Sequence, residues 1–125
     1  MSVNKDKRRA ARVSFDLGTR GHLGTTISVE ILDLSETGLL FEVATTLRPG
    51  STYDLSVSFG GVPFVGRVRV TRCRAGGYAP DGKGGRLLLF RAGGEFVGLS
   101  EKQFAGLRLA LATKLASGAS LKRPS

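Results

Sequence analysis

Ile31-Leu32-Asp33-Leu34-Ser35-Glu36-Thr37-Gly38-Leu39-Leu40-Phe41 is the stretch that decides how this chain folds. Leading into it, Ile27, Val29 and Ile31 alternate with Ser28 and Glu30, a period of two that turns one face of a strand inward. Beyond it, Leu39, Phe41 and Val43 resume the alternation. Ser35 to Gly38 between them is turn chemistry, with short polar side chains that bond nearby backbone and a glycine to close. The stretch therefore predicts a β-hairpin whose first strand ends at Asp33.

The same reading extends in both directions. Val13, Phe15 and Leu17 form a first alternating strand, broken by Gly18, Gly21 and Gly24, with His22 in a loop. After the break at Pro49-Gly50, Tyr53, Leu55, Val57 and Phe59 alternate with Asp54, Ser56 and Ser58. Gly60-Gly61 is a two-residue hairpin turn, and Val62, Phe64, Val68 and Val70 return on its far side. Residues 75–85 (AGGYAPDGKGG) are expected as an exposed loop, and Leu87 to Val97 as a last strand, with Gly93 and Gly94 marking a bulge or a close approach. Five or six short strands with glycine turns predict an antiparallel barrel or sandwich.

The period then changes. Ser100 followed by Gln103 is a capping box, and Leu99 and Phe104 are spaced as a hydrophobic staple across it. Phe104, Leu107, Leu111 and Leu115 mark the inward face of a closing helix, with Gly118 as its stop. The domain reading is a flexible arm over 1–11, one folded unit over 12–117 and a frayed tail over 118–125.

A chain of 125 residues suits one domain. It contains no apolar run long enough to span a bilayer. Its charged N-terminus is unlike a secretory signal, and Cys73, the one cysteine, fits a reducing cytosol. The net charge of +9 favours anionic partners. Part of that charge is concentrated in Lys5, Lys7, Arg8, Arg9 and Arg12, and part in the series Arg67, Arg69, Arg72 and Arg74. That series reads either as a solvated stripe or as the rim of a partner or ligand site. His22 has no second metal ligand near it, and no base is paired with a nucleophile, so neither metal binding nor catalysis is expected.

Two short segments carry the candidate chemistry. Arg8 and Arg12 present planar, permanently charged forks that pair bidentately with phosphate or with the O6/N7 edge of guanine, and that stack on bases. Arg9 between them is a phosphate auxiliary. The Asp33 carboxylate can accept from guanine N1–H and N2–H, Ser35 can donate or accept beside it, and Gly38 lets backbone approach closely or adopt positive φ. The bland alternatives are a solvated basic tail for the arginines and an Asx or hydroxyl turn for Asp33 and Ser35.

Taken as RxxxR (8–12) followed by DxSxxG (33–38), these segments resemble the PilZ family, and ILDLSETGLLF, FRAGGEF (Phe90 to Phe96) and LSEKQFAGLRLAL resemble its later segments. The resemblance implies a mainly β fold: a six-stranded antiparallel PilZ-type barrel with a C-terminal helix and a flexible basic N-terminal arm. It also implies a cytoplasmic, non-catalytic receptor for the bacterial second messenger cyclic di-GMP, with no other cofactor. Arg8, Arg9, Arg12, Asp33, Ser35 and Gly38 are its candidate binding residues. Lys7, just before the first motif arginine, occupies the position that helps set whether one nucleotide or an intercalated pair binds. The implied output is an arm that closes on the ligand and alters a surface read by motility, exopolysaccharide or transcription machinery. The alternatives are a barrel of this family that no longer binds the nucleotide, and a basic barrel that binds nucleic acid non-specifically. The second is disfavoured because most aromatics lie on the inward face, away from any stacking platform.

Overall fold

The alternating stretches pair into a closed ring. The computed structural model describes residues 13–14, 19–59 and 61–116. Its strands are β1 (Val13–Ser14), β2 (Arg20–Leu23), β3 (Ile27–Leu34), β4 (Gly38–Val43), β5 (Thr52–Phe59), β6 (Val62–Pro80) and β7 (Arg86–Val97), followed by helix α1 (Glu101–Ala116). Every pairing is antiparallel. The order β3-β2-β5-β6-β7-β4 closes on itself through a β3–β4 pairing, giving a six-stranded ring. Closure matters physically because it leaves these strands without open edges over the paired length.

The alternation sorts side chains as expected. Ile31, Leu34, Phe41, Leu55, Val68 and Val70 are buried inside the ring. Phe59 and Phe64 face each other across the β5–β6 turn, with ring centroids 6.5 Å apart. Phe59 pairs directly with Val62, so only two residues connect β5 to β6, and Gly61 takes φ +87° there, a conformation that a Cβ disfavours.

The capping box forms at the start of α1. Ser100 N–H donates to Gln103 Oε1 at 2.8 Å, and Gln103 N–H donates to Ser100 Oγ at 3.1 Å. Gln103 Nε2 also donates to the Val65 carbonyl on β6 at 2.9 Å, tying the cap to the ring. Leu107, Ala110 and Leu111 are buried against the core, and Leu99 packs on it from just before the cap.

Two expectations need correction. His22 lies in a strand, not a loop: β2 pairs with both β3 and β5. Its inward positions are Gly21 and Leu23, so a glycine stands where alternation would show an apolar residue. A Cβ at Gly21 would come within 2.7 Å of the Ser56 carbonyl oxygen, and this close strand packing is why glycine sits there. The 75–85 segment is mostly strand: β6 runs to Pro80 and β7 starts at Arg86, leaving only 81–85 as loop. Cross-strand pairing (Tyr78↔Leu88, Ala79↔Leu87) rather than burial holds this ribbon together. The first strand appears as the two residues Val13–Ser14. Phe15 and Leu17, the arm over 1–11, Gly118 and the tail over 118–125 lie outside the described residues.

Candidate ligand-binding site

Asp33 reaches the outer wall through a bulge. Ile31 pairs with Phe41 but Asp33 pairs with Leu40, so Leu32 is an extra residue in β3. Strict alternation from the buried Ile31 would send Asp33 inward. The added residue reverses the parity, and Asp33 is half-buried on the outside while Leu34 takes the inward position.

On β6 a second bulge does the same for an arginine. Val70 pairs with Gly94 but Arg72 with Gly93, leaving Thr71 unopposed. Val68 and Val70 point into the core, and were Thr71 a regular ladder position the alternation would carry Arg72 in after them. Arg72 and Arg74 instead join Arg67 and Arg69 on the outer face, all four exposed. Thr71 Oγ1 donates to the Gly93 carbonyl at 3.1 Å and pins the bulge to β7.

The pairings Ser14↔Asp33, Asp33↔Leu40, Leu40↔Gly93 and Gly93↔Arg72 form one continuous row across five strands. Directly opposed residues share a face, so Asp33, Leu40 and Arg72 border a shallow groove whose floor is Gly93. A cavity of about 330 Å³ lies there, lined by Asp33, Leu39, Leu40, Arg72, Gly93 and Gly94. A neighbouring cavity of about 430 Å³ shares Leu40 and Arg72 and continues to Arg74, Gly76 and Arg91. Arg72 lies over the floor: a Cβ at Gly93 would sit 3.3 Å from its Nε.

Ser35 and Gly38 shape this site from beneath. Ser35 is fully buried. Its N–H donates to the Gly38 carbonyl at 2.9 Å, and its Oγ accepts from Thr37 N–H at 3.2 Å and lies 3.1 Å from Thr37 Oγ1. The hydroxyl is thus committed to the β3–β4 turn. Gly38 has no positive φ; a Cβ on it would collide with the Gly94 carbonyl oxygen of β7. The close approach that requires glycine is therefore between β4 and β7. Glu36 at the turn's tip pairs with Arg108 of α1 at 3.5 Å.

Arg8, Arg9 and Arg12 lie outside the described residues. The register of β1 nonetheless bears on them: Val13 pairs with Leu34 and Ser14 with Asp33. The two residues that follow the RxxxR segment in sequence thus run antiparallel to the end of β3, with Ser14 directly opposite Asp33.

The whole span from the basic arm to the closing helix, residues 6–112, matches the PilZ domain. The chain belongs to the PilZ domain family. No curated protein matches the sequence. Among solved structures, this PilZ domain is similar to the PilZ domain of YcgR from Escherichia coli, a structure that contains c-di-GMP. The TM-score is 0.68 at 19% identity, covering 89% of this chain and 94% of that one. At that identity the likeness is one of fold.

Other sites on this PilZ domain offer less. A cavity of about 470 Å³ beside Gly66, Val97 and Gln103 contains Asp54 and Arg67, but these two pair with each other at 3.4 Å. Among the described residues no three His, Cys, Asp or Glu side chains stand close enough to hold a metal, and no helix is long and apolar enough to cross a membrane. Cys73 is half-buried on β6, its Sγ accepting from Leu47 N–H at 3.4 Å.

Sequence reading left Arg72 and Arg74 between a solvated stripe and a ligand rim, and did not place them or Gly93 beside Asp33. The sequence did carry a sign of the bulge. Arginines at 67, 69, 72 and 74 step by two, three and two. In a strand that keeps its arginines on one face, the step of three requires one extra residue.

Proposed function

We propose that this PilZ domain is a cyclic di-GMP receptor, a binding module rather than an enzyme, working in the cytoplasm. The observation that carries the reading is the β1 register, which brings the chain following RxxxR alongside Asp33. The c-di-GMP in the similar YcgR domain supports the same ligand.

Each group has a distinct task. Arg8 and Arg12 fold over the ligand, pairing with phosphate and the guanine O6/N7 edge or stacking on the base, and Arg9 adds charge toward a phosphate. Asp33 accepts from guanine N1–H and N2–H on the opposite side. Ser35 and Gly38 contribute by holding the turn and the β4–β7 contact that set Asp33 in place. Lys7 bears on whether one nucleotide or a stacked pair is taken. The arm over 1–11 orders when ligand binds, the unit over 12–117 stays folded throughout, and the changed surface is read by a partner protein of motility, exopolysaccharide or transcription machinery.

The test is calorimetry with cyclic di-GMP on the wild type and on Arg8→Ala and Arg12→Ala. Saturable heat with the wild type, weakened about tenfold or more in each variant, is the expected result. No heat with the wild type at tens of micromolar protein would overturn the proposal.

A further inference from the structure

The four outward arginines of β6 are not equivalent. Arg67 pairs with Asp54 and Arg69 with Glu95, so their charge is balanced by neighbouring strands. Past the Thr71 bulge the balance stops: the guanidinium groups of Arg72 and Arg74 have no ion-pair or hydrogen-bond partner among the described residues, although the backbone of both is paired with β7. Arg91, beside Arg74 in the register, pairs with Glu42 at 3.2 Å. Two uncompensated guanidinium groups therefore project from one end of a groove whose other end carries the Asp33 carboxylate.

The separation indicates the class of ligand. Asp33 and Arg72 stand on β3 and β6 with β4 and β7 between them. Three inter-strand steps of about 4.8 Å make roughly 14 Å along the wall. A guanine held by Asp33 leaves its own phosphate near the entering arm, and a second phosphate further along would lie toward Arg72. Gly93 is the position that keeps the path between them open, since any side chain there would meet Arg72 or Thr71.

We propose that Arg72 and Arg74 are wall-side phosphate ligands, which make the groove selective for a guanine dinucleotide with two phosphates over a guanine mononucleotide. This rests on the receptor reading above. It adds a second set of cations, built into the barrel and independent of the arm. The Thr71 bulge is the device that turns them outward, and its hydrogen bond to Gly93 holds them in register with Asp33.

The experiment is calorimetric titration of the full chain with cyclic di-GMP and, separately, with GMP. The variants are Arg72→Ala, Arg74→Ala, Arg72→Lys and, as a control on the same face, Arg67→Ala. Arg72, Arg74 and Arg67 are exposed, so their truncation leaves the core intact, as circular dichroism will verify. Arg72→Ala and Arg74→Ala are expected to weaken cyclic di-GMP by about tenfold each and to leave GMP within twofold. Arg72→Lys should fall between, keeping the charge but losing the fork, and Arg67→Ala should match the wild type. Wild-type binding of cyclic di-GMP that survives both alanine variants within twofold would overturn this inference and leave the receptor reading standing. Loss of GMP and cyclic di-GMP in equal measure would overturn the selectivity. A wild type that binds no cyclic di-GMP would overturn both readings.

Discussion

Asp33 and Arg72 look out from the same wall of the barrel because each follows a single inserted residue, Leu32 on β3 and Thr71 on β6. Were Leu32 or Thr71 an ordinary ladder position instead of an unopposed one, strict alternation would point the side chain after it toward the core. A carboxylate and a guanidinium thus share a face through two matching irregularities in an otherwise regular ring.

Asp33→Asn is the sharper test of base recognition. Its amide would present a donor where guanine N1–H and N2–H need acceptors. Cyclic di-GMP affinity should drop about tenfold or more, while the melting temperature should stay close to that of the wild type. Titration and thermal melts on the same preparation separate the two effects.

Ser35→Ala should act on stability first. The substitution removes the buried Ser35 hydroxyl that accepts from Thr37 N–H at the partly exposed tip of the turn, at a cost of about 1 kcal/mol. Denaturant unfolding should show the loss directly, and saturating ligand should recover most of the binding. Unchanged stability with abolished binding would instead assign the hydroxyl to the ligand.

Gly38→Ala should disturb the seam between β4 and β7. The new Cβ meets the backbone oxygen of Gly94, which cannot move aside as a flexible side chain can. A loss of about 1–3 kcal/mol is expected, with increased hydrogen exchange at Gly38 to Phe41 and at Ala92 to Glu95. The same change at Gly106, which has open space around it, serves as a control and should be neutral or stabilising.

Thr71→Val keeps the shape and removes the hydroxyl that holds Gly93. The bulge should persist with a weaker hold on its register. The expected result is a several-fold loss of cyclic di-GMP affinity in a fully folded protein, larger than that from Arg67→Ala.

Ser100→Ala removes the acceptor for Gln103 N–H at the start of α1 and should cost about 1 kcal/mol. Gln103→Ala removes a donor to Val65 as well as the return bond to Ser100, so it should cost more. Equilibrium unfolding curves will rank the two.

Much of this was legible in the residues themselves. The β3–β4 hairpin, β5, most of β7 and the capped helix all declare themselves through period and turn chemistry, because a half-buried strand must alternate and a helix must cap. Strand β2 was hidden because Gly21 takes an inward place without leaving an apolar mark. The outer half of the β6–β7 ribbon was hidden because pairing rather than burial sustains it, and residues such as Gly76, Gly77 and Lys83 carry no hydropathic pattern. The motif pointed to Asp33, but its outward direction depends on a bulge that strict period-two reading cannot contain. Arg72 was hidden for the same reason, although the uneven spacing of the arginines recorded the insertion.

Strand β6 continues for 19 residues, well past its last pairing with β5 at Arg69. From Arg72 outward its one pairing partner is β7, and from Leu89 outward β7 in turn pairs only with β6. The ribbon is therefore a cantilever hinged beside the groove. The eight residue steps from Arg72 to Pro80 span roughly 26 Å, so a tilt of about 10° at the root sweeps the tip through roughly 5 Å. A small displacement of the backbone under Arg72 becomes a large one at Tyr78 and Leu88, the exposed pair near the ribbon's free end.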